Sequence, residues 1–261
     1  MVGIHSGVKV IYRSMSNVRY LSKKEPEVNY LGNQEDILQE LQRARINEEA
    51  VSVERVHFYK TDKRVNPKQE EPFWVSLGEL PVLLSAPHAV RYYRQKKIKM
   101  SDQFTGSIVY LLQQLTGCHA IAATKLYGGD PNSDNPCIYK EKIAEICGRN
   151  KVKFVLDLQG AAREQDFDVD LGMNNGKTLL VKERMLETLE HNFQEFGLNR
   201  ISHDHFGATG PNTIANYVAR ELKISAVQLD INKQYRVPAQ NPQGFHRLLG
   251  ALVESIKALV Q

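Results

Sequence analysis

From residue 73 onward the chain alternates short apolar runs with longer amphipathic stretches. Val82–Leu84, His119–Thr124, Val152–Leu158 and Ile224–Ile231 are near-continuous apolar runs of strand length. Such runs suit strands of a sheet covered on both faces. Between the runs, apolar residues recur at helical spacing. Phe104, Ile108, Leu111, Leu112 and Leu115 fall on one face, with Ser101 placed to cap the helix and Gly117 to end it. Tyr139–Cys147, Lys182–Phe196 and Thr213–Leu222 follow the same rule. So does Pro242–Val260, through Phe245, Leu248, Leu249, Leu252, Ile256 and Leu259. Strand–helix alternation predicts an α/β fold: a three-layer α/β/α domain over residues 73–261, built on a mostly parallel mixed sheet.

Residues 1–72 break this rhythm and are expected to form an N-terminal extension of mixed structure packed on the main domain. Val8–Tyr12 is a strand candidate. Asn33 resembles an N-cap followed by Glu35 and Asp36, opening a helix through Ile37, Leu38, Leu41 and Ile46. Val51, Val53 and Phe58 suggest a strand over Val51–Tyr59. The charged stretch Thr61–Pro72 carries two prolines and reads as an exposed loop.

Composition narrows the class. Hydrophobic residues make up 42% and charged residues 25%, enough for a substantial core in an ordinary globular protein. No apolar run is long enough to cross a bilayer, and the N-terminus lacks a signal-peptide pattern, so a cytoplasmic location is the expectation. The three cysteines, Cys118, Cys137 and Cys147, form no CxxC pair, which argues for free thiols. Net charge is only +4. The one basic cluster is Arg91–Lys99, interleaved with Tyr92 and Tyr93. It reads as a collar for a small anionic substrate or as a solvated loop, in preference to a nucleic-acid contact.

Candidate chemistry gathers where apolar runs end. His88 follows Val82–Leu84, Gln159-Gly160 follows Phe154–Leu158, and Asp230 sits within Ala226–Ile231. The C-terminal ends of strands are where open α/β sheets collect ligands. Each residue also has a plainer use: Gln159 to bond a backbone group, Asp157 to tie a turn. His203 and His205 stand two apart, either as a metal pair or as part of a polar loop rimming the pocket. GxSxG, HExxH, GxxxxGK[ST] and GxGxxG are all missing, which disfavours serine hydrolases, helical-motif metalloproteases and nucleotide enzymes.

Six short motifs occur in order: Ser85-Ala-Pro-His-Ala-Val90, Asp102-Gln-Phe-Thr-Gly106, Gly129-Asp-Pro-Asn132, Leu156-Asp-Leu-Gln-Gly-Ala161, Asp168-Val-Asp-Leu-Gly172 and Gln228-Leu-Asp-Ile-Asn-Lys-Gln-Tyr-Arg236. Over roughly residues 80–255 this order resembles the N-formylglutamate amidohydrolase family, which is similar in fold to zinc carboxypeptidases. The resemblance implies an amide hydrolase acting on a small anionic N-acyl amino acid through metal-activated water. It implies His88 as a metal ligand, Asp102 and the Gln159 position as further ligands, and Asp230 as general base. Asn132, Ser133, Arg91 and Lys99 would line the substrate site, and Arg236 or Arg163 would clamp the carboxylate. Gln159 stands where the family has a His, Arg91 where a Glu ligand would fall, Asp230 where a Glu is expected, and Ser133 where an Arg is often found. Zinc is therefore expected to be weak or absent, since an amide oxygen is a poor zinc ligand. The alternative is a catalytically degenerate binding or regulatory protein that keeps the pocket.

Overall fold

The computed structural model describes residues 34–59, 70–126, 128–180 and 182–261. The strand candidate Val8–Tyr12, the capping residue Asn33 and most of the charged loop at 61–72 lie outside the described residues. The described elements, in chain order, begin with helices α1 (Gln34–Arg43) and α2 (Ile46–Val53). Strands β1 (Phe73–Ser76), β2 (Leu80–Ala86), β3 (Tyr92–Arg94) and β4 (Lys97–Lys99) follow, then α3 (Thr105–Thr116), β5 (Cys118–Ala123) and α4 (Ile138–Asn150). Next come β6 (Phe154–Ala161), β7 (Val169–Gly172), α5 (Lys182–Glu195), β8 (Ile201–His203) and α6 (Ile214–Tyr217). The chain closes with β9 (Ser225–Asn232), α7 (Lys233–Arg236) and α8 (Pro242–Val260).

Seven strands form one sheet in the order β1-β5-β2-β6-β9-β7-β8. The central four, β5, β2, β6 and β9, run parallel; β1 and β7 pair antiparallel at either side, and β8 lies parallel to β7. The apolar runs thus occupy the middle, where both faces are covered. The connection β2–α3–β5 moves one way across the sheet and β5–α4–β6 moves back. Right-handed crossovers then place α3 and α4 on opposite faces. Helix α3 packs with α8, and α8 with α5. On the other face α4 reaches the sheet through buried Tyr139, whose hydroxyl donates to the Ile121 carbonyl at 3.0 Å.

The first described segment joins the same core. Ile37, Leu41, Ile46, Ala50, Val53 and Phe58 belong to one apolar cluster with the sheet helices, and α1 and α2 both pack on α8. The expected strand over Val51–Tyr59 is instead the end of α2 and a π-helical turn over Glu54–Phe58. Helical spacing wins because Ile46, Ala50 and Val53 are buried while Val51 stays exposed. Glu54, buried, accepts from Ser107 Oγ and the Phe104 backbone N–H. Ser101 does not cap α3: the helix starts at Thr105, after Phe104 in a left-handed conformation. Gly106 lets α3 approach the π turn. A Cβ there would stand 2.7 Å from the Phe58 ring and from Ala89 Cβ. Gly106→Ala is expected to cost about 1–3 kcal/mol by overpacking, read as a lower urea midpoint.

The hairpin β3–β4 and the strands β1, β7 and β8 are additions to the pattern-based elements. All are three or four residues long, too short for periodicity to register.

Candidate active site

Residues at the ends of β2 and β6 are organised around His88, which is buried. The backbone N–H of Asp102 donates to the His88 carbonyl at 2.8 Å, fixing the loop after β2 against the entry to α3. His88 Nε2 lies 2.8 Å from Asp130 Oδ1, and Nδ1 lies 3.6 Å from Asp102 Oδ2. Tyr92 stacks on the imidazole, with centroids 3.8 Å apart and planes 13° from parallel. Burial by itself would lower the His88 pKa. The two carboxylates outweigh it and raise the value to about 9, so the ring is an imidazolium at neutral pH. Arg94, one hairpin residue beyond Tyr93, donates to Asp130 Oδ2 at 2.6 Å. Asp130 also accepts from the Asn132 N–H and Ser133 Oγ. Burial disfavours its charge, yet His88 and Arg94 hold its pKa well below the usual carboxylate range.

A second polar group covers one face of the sheet beside this array. Register pairs Ser85 with Asp157 and Asp157 with Gln228 at one level, and Gln159 with Asp230 and Asp230 with Asp170 at the next. Strand alternation puts these side chains on the same face. Gln159 Nε2 donates to Asp157 Oδ2 at 2.8 Å, and Ser85 Oγ donates to Oδ1 at 2.7 Å. Gln228 Nε2 donates to Asp230 Oδ2 at 2.6 Å. Desolvation raises Asp157 to about 6 and Asp230 to about 7, the latter with help from the Asp170, Asp102 and Asp157 carboxylates. A buried carboxyl with a raised pKa favours the folded state while it is protonated. Its contribution is full below pH 3.8 and is lost as pH rises to about 7. Asp230→Asn is therefore expected to flatten the fall in stability between pH 4 and 7. Urea unfolding at a series of pH values reads this directly, and an unchanged slope would refute the assignment.

Asp102 also looks the other way. Its Oδ2 accepts the Gly160 backbone N–H at 3.0 Å. Together with Arg163, Glu164, Lys233 and Arg236 it lines a cleft of about 410 Å³ at the end of β6. Arg236 is buried and donates to the carbonyls of Ile231, Gln103 and Ala161. Gly160 makes this approach feasible, since a Cβ there would meet the Arg236 guanidinium at 2.6 Å and Asp102 Cβ at 2.9 Å. Arg163 is exposed on the rim, and Lys99 is exposed on the hairpin. Arg91 is half-buried where the hairpin begins. Asn132 faces inward: its side-chain oxygen accepts the Ile214 N–H at 2.8 Å, tying the Asp130 loop to α6.

Among solved structures, this chain aligns with N-formylglutamate amidohydrolase from Ralstonia eutropha JMP134. Identity is 14%, coverage is 73% of this chain and 98% of the other, and the TM-score is 0.54. A gene product of Agrobacterium tumefaciens aligns equally well, with 12% identity, 74% and 97% coverage, and TM-score 0.54. The chain has the N-formylglutamate amidohydrolase fold. No family model and no curated protein matches the sequence.

The sequence resemblance implied a metal at His88, Asp102 and position 159. The side chains present do not fit one. Both ring nitrogens of His88 face carboxylates that hold its proton, whereas a metal needs a free imidazole lone pair. Gln159 offers an amide, and its nitrogen is engaged by Asp157. Arg91, beside this loop, is a cation and cannot ligate a metal. His203 and His205 part company: His203 bonds Glu190, while the His205 ring packs against Phe167 and Phe206. Among the described residues no group of three or more His, Cys, Asp or Glu side chains is disposed to hold a metal ion.

His88 lies 3.6 Å from Asp102, Asp102 accepts the N–H of Gly160 next to Gln159, and Gln159 is in register with Asp230; of the four, Asp102 lines the cleft. Sequence reasoning missed Arg94 and the role of Asp130 as its anchor. The available signal was the two-residue spacing of Tyr92 and Arg94, which puts both on one side of a strand.

Proposed function

We propose that this chain is a metal-independent binding protein with a hydrolase fold, taking a small anionic amino-acid derivative in the cleft beside Asp102. The carrying observation is the placement of His88: its ring nitrogens are closed between Asp130 and Asp102 and its face is stacked on Tyr92. Arg163, Lys233 and Arg236 around the cleft supply the positive charge that attracts a carboxylate. One observation favours a hydrolytic reading instead. Asp230, with a proton affinity near neutrality, has the pKa of a general base.

Two measurements on the full chain separate these readings. Elemental analysis of protein purified without added metal is expected to find zinc far below one per chain. Titration calorimetry is expected to detect binding of an acidic amino-acid derivative, with no formate released from N-formyl-glutamate. Stoichiometric tight zinc together with steady formate release would replace the binding reading with the hydrolytic one.

A further inference from the structure

The cleft carries charges of both signs, and this limits what fits. Asp102 and Glu164 are acidic; Arg163, Lys233 and Arg236 are basic. The side chains of Arg163, Glu164 and Lys233 have no hydrogen-bond or ion-pair partner among the described residues. They surround an open space of about 410 Å³ without pairing across it. Asp102 commits one oxygen, Oδ2, to Gly160 and faces His88 with it, while Oδ1 has no partner among the described residues. A ligand bearing only carboxylates would meet Asp102 and Glu164. A purely cationic ligand would meet three basic residues.

We infer that the cleft takes an α-amino acid with its ammonium free, not N-acylated, and with a second carboxylate on its side chain. The ammonium sits on Asp102 Oδ1, and the carboxylates engage Arg163 and Lys233. Three basic residues against two acidic ones match a ligand of one positive and two negative charges. An N-acyl group would turn the ammonium into a neutral amide and remove a charge-assisted hydrogen bond. This inference rests on the metal-independent binding reading and specifies its ligand.

The test compares glutamate, N-formyl-glutamate and glutarate by titration calorimetry on the full chain at pH 7. Glutamate is expected to bind about tenfold tighter than N-formyl-glutamate, the equivalent of one charge-assisted bond. Asp102→Asn, which keeps an oxygen for the Gly160 N–H, is expected to bring the two affinities together. A thermal melt checks that this variant is folded. Lys233→Gln alters an unpartnered residue at the cleft, so it tests the assignment without relying on Asp102. It is expected to weaken all three ligands and to leave the preference for glutamate in place. Equal affinity for all three with no formate released overturns the ammonium assignment alone. Formate release at a steady rate with no preference for glutamate overturns the binding reading as well, and failure of all three to bind overturns both.

Discussion

Asp130→Ala is expected to lower unfolding free energy by about 3–5 kcal/mol, the cost of removing one partner from a buried ion pair. The carboxylate is 1% exposed and is shared by His88, Arg94, Ser133 Oγ and the Asn132 N–H. Its loss leaves the buried His88 imidazolium with only Asp102, 3.6 Å away, and frees the hairpin residue Arg94. Urea unfolding monitored by circular dichroism checks the size of the effect. Adding His88→Leu to Asp130→Ala should recover part of the loss, because the stranded charge is gone. A further loss from the second substitution would show that His88 stabilises the fold through some other contact. The sign of the pH dependence follows from the same pair. The folded pKa of His88 is raised from 6.5 to about 9, so its stabilisation is complete below pH 6.5 and is lost as pH climbs through 9.

Zinc affinity should rise sharply when Gln159→His and Arg91→Glu are combined. The first change supplies an imidazole at a strand end in register with Asp230; the second replaces a cation with a carboxylate. Two new donors should gain more than the roughly 100-fold that altering a ligand's hydrogen-bond partner brings. The gain should grow toward pH 9, because metal binding at His88 must displace the proton that Asp130 and Asp102 hold. Competition with a chromogenic chelator at pH 7 and pH 9 measures both effects. A double variant that binds zinc no better than the parent at pH 9 would show that the strand ends are not aimed at one point.

The long apolar runs and the 3.6-residue helices were legible because they repeat. Every central strand and every long helix of the domain shows its period in the residues themselves, as in Phe245 to Leu259 of α8. Short edges left too few repeats to read, so β1, the hairpin and β8 escaped notice. Val51–Tyr59 misled because an alternation of two residues is weak evidence when a helical period runs through the same stretch. His88, Gln159 and Asp230 stood out as polar residues in apolar surroundings, which is a local property.

The sequence by itself determined the α/β alternation, the polar strand ends and the presence of an amide at Gln159 and a cation at Arg91, since each is written in nearest-neighbour pattern or residue type. Tertiary structure alone decided that Asp130 reaches His88 from 42 residues away and Arg94 reaches Asp130 from 36, that Gln159 turns to Asp157, and that Arg236 is consumed by backbone carbonyls. Protonation state and ligand competence depend on which charges share a low-dielectric volume, and only the folded chain brings those charges together.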